Sequence, residues 1–101
     1  MRVLVMFDLP VETAAQRKEY RDFRKFLIKS GFIMMQESIY SRLVQNPTAA
    51  ELVTESLKKN KPSSGIVQVL KITEKQYSKM EYIVGEGNST FIDSDERVIV
   101  L

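Results

Sequence analysis

The chain has 101 residues, of which 44% are apolar and 28% charged, and its net charge is +2. That is the size of one small domain, able to bury roughly 60–65% of its unfolded surface. It contains neither histidine nor cysteine, which excludes imidazole acid–base chemistry, thiolate nucleophiles, disulfides and thiolate metal sites. No segment approaches the roughly 20 apolar residues that cross a bilayer. Met1-Arg2 leads straight into an apolar run too short for a signal-peptide core, so a cytoplasmic protein is expected. The charge is unevenly spread: residues 1–50 carry eight Lys/Arg against five Asp/Glu, and residues 51–101 carry seven against eight.

Residues 2–7 (RVLVMF) read as a buried strand that ends in Asp8-Leu9-Pro10. A helix follows, with Thr13 as N-cap, Gln16 completing a capping box, and Gly31 as the stop after about Ser30. Tyr20, Phe23, Phe26 and Leu27 share one face of it. Arg17, Lys18, Arg21, Arg24, Lys25 and Lys29 share the opposite arc, with Glu19 and Asp22 toward its edge. Phe32 to Met35 is a second strand, and Gln36-Glu37 turns into a third over Ser38 to Val44. Asn46-Pro47 opens a second helix with an apolar stripe of Ala49, Leu52, Val53 and Leu57, and Lys58, Lys59 and Lys61 at its end. Pro62-Ser63-Ser64-Gly65 breaks the chain before a fourth strand, Ile66 to Ile72. Thr73 caps a short helix over Glu74 to Lys79, and Glu81 to Val84 reads as a short strand.

The order β-α-β-β-α-β defines an α+β, ferredoxin-like domain over residues 1–84. Residues 85–101 are a linker and a final strand, Arg97 to Leu101. Appended strands leave open edges unless they pair, so a homodimer is expected, with Arg97, Val98, Ile99, Val100 and Leu101 pairing at the dimer or partner interface.

Asp8 is the best candidate for metal or catalytic chemistry, because a lone carboxylate sits where a buried strand meets a turn. The alternative is an aspartate that caps its own turn. A carboxylate near a basic helix points to phosphate-bearing substrates. Arg17, Arg21 and Arg24, spaced by four and three, can track phosphates together with Lys18, Lys25 and Arg42. The alternative there is a solvated helix face. Tyr40, Tyr77 and Tyr82 are weak candidates for base stacking, with no RNA-recognition signature around them.

The first strand ending in Phe7-Asp8-Leu9-Pro10, the basic helix, GFIMMQESIYSRL and KITEKQYSKMEYIVG together resemble the small CRISPR-associated adaptation proteins, closest to the type II-A branch. The resemblance spans essentially the whole chain. Where that family usually has tyrosine before the aspartate, this chain has Phe7. The resemblance implies a dimer that partners the integrase subunit in spacer acquisition on double-stranded DNA. It also implies that two copies of Asp8 meet at the dimer interface. In some members such a pair holds a divalent metal, Mg²⁺ or Mn²⁺, and hydrolyses phosphodiesters of RNA or duplex DNA. One carboxylate is too few to hold the ion, whereas two with water ligands suffice. Two other readings are a toxin-type, metal-dependent endoribonuclease acting outside CRISPR immunity, and a small-ligand regulatory domain, for which no glycine-rich turn is present.

Overall fold

The computed structural model describes residues 1–86. Four strands, β1 (Arg2–Asp8), β2 (Ile33–Gln36), β3 (Ile39–Leu43) and β4 (Ile66–Ile72), alternate with helices α1 (Ala14–Lys29) and α2 (Pro47–Lys59), and a short α3 (Glu74–Ser78) follows. The sheet order is β2-β3-β1-β4, antiparallel throughout. This is the ferredoxin-like arrangement expected, with β1 between β3 and β4.

The helix ends form where their capping chemistry lies. Thr13 Oγ1 accepts from the Gln16 backbone N–H at 3.1 Å, while Gln16 Oε1 accepts from the Thr13 backbone N–H at 3.0 Å. Asn46 accepts from Ala49 N at 2.8 Å with Pro47 opening α2, and Thr73 with Gln76 repeats the capping box on α3. Such caps contribute on the order of 1 kcal/mol each. Gly31 ends α1 in the left-handed region at φ 91°, where a side chain would be strained.

Alternation along β1 divides the sheet into two unlike faces. Val3, Val5 and Phe7 point to the helices and pack with Phe23, Leu27, Phe32, Tyr40, Ala50, Val53 and Leu57. Phe7 lies edge-on to Phe23 and stacks on Tyr40, with centroids 5.3 and 5.8 Å apart. Position 7 therefore faces the core, a role phenylalanine fills without a hydroxyl.

The other face carries Leu4, Met6 and Asp8 of β1, with Ile33, Ser41, Leu43, Ile66 and Leu70 around them in register. Leu4 and Ser41 are buried by their neighbours, but Ile33, Leu43, Ile66 and Leu70 are each 49–59% exposed. At one end of this face α3 is tied down: Arg2 pairs with Glu74 at 3.0 Å, and its guanidinium lies 4.0 Å from the Tyr77 ring centre.

Three expectations are corrected. Ala50, not Leu52, is buried on α2, and Leu52 is 69% exposed, because the helix turns positions 50, 53 and 57 inward. Glu81 to Val84 is not a strand: no described strand lies beside it to supply ladder partners, and Ile83 and Val84 stand exposed. β1 runs one residue past the expected 2–7 and takes in Asp8. The expected strand Arg97 to Leu101 and the linker from residue 87 onward lie outside the described residues. Among the described residues no helix is long and apolar enough to cross a membrane.

Candidate carboxylate site and basic helix

Asp8 stands at the end of β1 in register with Ile66. It is exposed, and its carboxylate has no hydrogen-bond or ion-pair partner among the described residues. A turn-capping aspartate would show a bond to a nearby amide, and none is present there. The end of β1 is nevertheless well fixed. Phe7 N donates to Ser38 O at 3.0 Å, which ties the strand to the β2–β3 turn. Ser38 adopts the left-handed region at φ 67°, with neighbouring Glu37 on the same turn.

A depression of about 400 Å³ beside this turn is lined by Met6, Asp8, Glu37, Ser38, Ile66 and Gln68. It holds two carboxylates, Asp8 and Glu37. Among the described residues no three acidic groups gather in a way that would hold a metal ion unaided. Across the turn lies a second pocket of about 440 Å³, lined by Tyr20, Arg24, Met34, Glu37, Ser38 and Tyr40. Glu37 and Ser38 belong to both, so the turn joins the carboxylate site to the α1 surface.

The α1 cations are exposed but not equivalent. Arg17 Nη1 donates to the carbonyls of Val11 and Glu12 at 3.1 and 3.0 Å, holding the β1–α1 loop. Lys18 pairs with Asp22 at 2.7 Å. That hydrogen bond is the largest cause holding the Asp22 carboxyl below its usual range, and the Lys18 and Lys25 charges add to it. Arg24 Nε donates to the Tyr40 hydroxyl at 2.9 Å, the main reason its pKa lies above the ordinary guanidinium value. Arg21, Lys25 and Lys29 make no hydrogen bond or ion pair through their side chains among the described residues. Arg42 projects from β3 on the helix side, half-buried, with its side chain against Gly31. It therefore stands at the C-terminal end of α1, beyond the arginine row.

Tyr40, expected at most to stack on bases, is 1% exposed and part of the core. Tyr77 lies under Arg2. Glu37 was not singled out from the sequence, since a turn residue carries no periodic signal.

The fold and these residues define a ferredoxin-like domain with an exposed strand-end carboxylate beside a cationic helix. The family described as "CRISPR associated protein Cas2" matches residues 1–80. Across all 101 residues and the relative's full length, the chain is 55% identical to "CRISPR-associated endoribonuclease Cas2" of Treponema denticola. It is 46% identical to the protein of that name from Streptococcus mutans, over 100% of this chain and 93% of the relative. Streptococcus pyogenes Cas2, solved at pH 6.5, shares the fold with a TM-score of 0.63 at 22% identity, covering 83% of this chain and 100% of that one. The chain belongs to the Cas2 family of CRISPR-associated proteins.

Proposed function

We propose that this chain is a CRISPR adaptation subunit: a homodimer that bridges integrase subunits on double-stranded DNA during spacer acquisition. The observation that carries the reading is the open sheet face. Ile33, Leu43, Ile66 and Leu70 form an exposed aliphatic surface with Asp8 at its end. Apolar surface of this kind is stabilised by removal from water, and a second copy of the same face is self-complementary. A twofold axis that runs along the strands past the end of β1 would bring the two Asp8 carboxylates toward one another. Such pairing leaves both α1 helices on the outside, where their cations can follow phosphates. Strand β4 is hydrogen-bonded on one side only among the described residues. Its free edge suits strand addition by Arg97 to Leu101 of the partner copy or by the integrase.

The donor set also fits a hard divalent cation. Carboxylate oxygens from Asp8, with Glu37 on the same depression and water completing the shell, match what Mg²⁺ or Mn²⁺ requires. When bound, the ion would polarise a phosphoryl oxygen or a water for hydrolysis. Asp8 serves it well because no cation or amide among the described residues occupies the carboxylate. With no imidazole in the chain, no histidine base assists.

We infer phosphodiester hydrolysis as a second activity of the same dimer: the free Asp8 carboxylate supports it for RNA or duplex DNA, and the endoribonuclease names of the relatives support it for RNA. The test of the main reading is spacer uptake in cells lacking this protein, together with co-purification with the integrase. Uptake should stop and the two proteins should travel together. Continued uptake contradicts the bridging role, and growth arrest on induction would favour the toxin-type reading.

A further inference from the structure

Arg24 differs from its neighbours on α1 in how it is held. Tyr40 is 1% exposed, stacks on Phe7 and lies opposite Val5 in the sheet, so its ring is fixed by the core. Its hydroxyl accepts from Arg24 Nε at 2.9 Å, beside the pocket between α1 and the β2–β3 turn that both residues line. The two Nη groups have no partner among the described residues. An arginine held through Nε still presents the paired Nη donors that match two oxygens of one phosphate. Arg21, Lys25 and Lys29 are long exposed chains whose freedom would be lost on binding. Glu37 lines the same pocket and sets its negative side.

We propose that Tyr40 is a positioning residue for nucleic-acid binding: its hydroxyl fixes the Arg24 guanidinium so that the Nη pair clamps one backbone phosphate. The proposal rests on the reading of α1 as a duplex-binding surface. It gives a role to the hydroxyl of a ring that the core already holds in place.

Binding of a labelled DNA duplex to the full chain tests it, across wild type, the single variants Arg24→Gln, Arg21→Gln and Tyr40→Phe, and Tyr40→Phe combined with each arginine variant. Tyr40→Phe keeps the ring and should weaken binding roughly 3- to 10-fold, the scale of one net hydrogen bond. In the Arg24→Gln background it should add nothing, while in the Arg21→Gln background its effect should persist in full. A merely structural role would weaken binding equally in both backgrounds, and that result overturns the proposal. Arg24→Lys, which leaves the core untouched, keeps the charge but loses the fork and should also weaken binding. Wild-type affinity in that variant overturns the proposal whatever Tyr40→Phe does. Loss with Arg24→Gln but none with Tyr40→Phe defeats this proposal alone. A wild-type protein that binds no duplex defeats the underlying reading as well.

Discussion

Gly65 and Asp8 are in backbone contact that leaves no room for a side chain: a Cβ on Gly65 would fall 2.7 Å from the Asp8 carbonyl oxygen and 2.8 Å from Leu9 Cδ2. Gly65 also sits at φ 90°, in the left-handed region. The residue that lets β4 begin is therefore the one that lets it run close against the end of β1, where the candidate carboxylate stands.

Gly65→Ala should accordingly be destabilising by about 1–3 kcal/mol from the backbone conformation alone, with the clash added to it. Since the clash falls on the Asp8 carbonyl, any metal-dependent cleavage should fall with it. Thermal melting and cleavage assays check both. A variant that melts with the wild type would show that the two strands are not held this closely.

Asp8→Ala should behave in the opposite way. The carboxylate has no described partner to lose, so stability should change by less than about 0.5 kcal/mol. Mg²⁺-dependent cleavage of RNA and duplex DNA should fall to background, while duplex affinity is retained. Equal cleavage before and after the substitution removes Asp8 as a metal ligand.

The free cations of α1 should carry the salt dependence. Arg21→Ala with Lys25→Ala removes two groups that hold nothing else in place among the described residues, so the slope of log affinity against log salt should fall by about 2 without loss of melting temperature. Arg17→Ala should in addition loosen the β1–α1 loop, because its guanidinium holds two carbonyls there. An unchanged slope in the double variant would take the helix out of the binding surface.

Acid should weaken the tie between α2 and β4. The hydrogen bond from Lys71 Nζ, at 2.8 Å, is the largest cause holding the Glu51 carboxyl below its usual 4.5. A carboxyl whose folded value lies below its unfolded one adds stability that is complete above the unfolded value and is lost as pH falls through the folded one. Glu51→Gln should therefore melt lower than wild type at neutral pH, and the gap should close as the solution is acidified below 4.5. The pair is exposed, so salt should shrink the gap too. A gap that persists unchanged in acid contradicts the assignment.

Much of the architecture was legible because the ends of elements are written in local chemistry. Thr13 with Gln16, Asn46 with Pro47, and Gly31 each fix a boundary by a bond or a dihedral that neighbouring residues determine. What the sequence could not display depends on who lies across the fold. Leu52 and Ala50 both fit a helical stripe, and only the position of the sheet decides which is covered. The strand expected over Glu81 to Val84 fails for the same reason: Ile83 and Val84 have a strand-like composition but find no described neighbour to pair with. The candidate site was half visible. Asp8 stood out as a carboxylate at a strand end, but its free state, the approach of Gly65 and the joining of two pockets by Glu37 and Ser38 are tertiary facts. Tyr40 read as a ring, whereas its hydroxyl meets Arg24 across sixteen residues of chain.

Pairing of two copies through the open sheet face is decided by sedimentation equilibrium of the wild type beside Leu70→Glu. Leu70 is 49% exposed on that face, so a charge there should leave the fold intact while opposing its burial against a second copy. The wild type should sediment as a dimer and the variant as a folded monomer. A monomeric wild type at micromolar concentration, or a variant that remains dimeric, would contradict it.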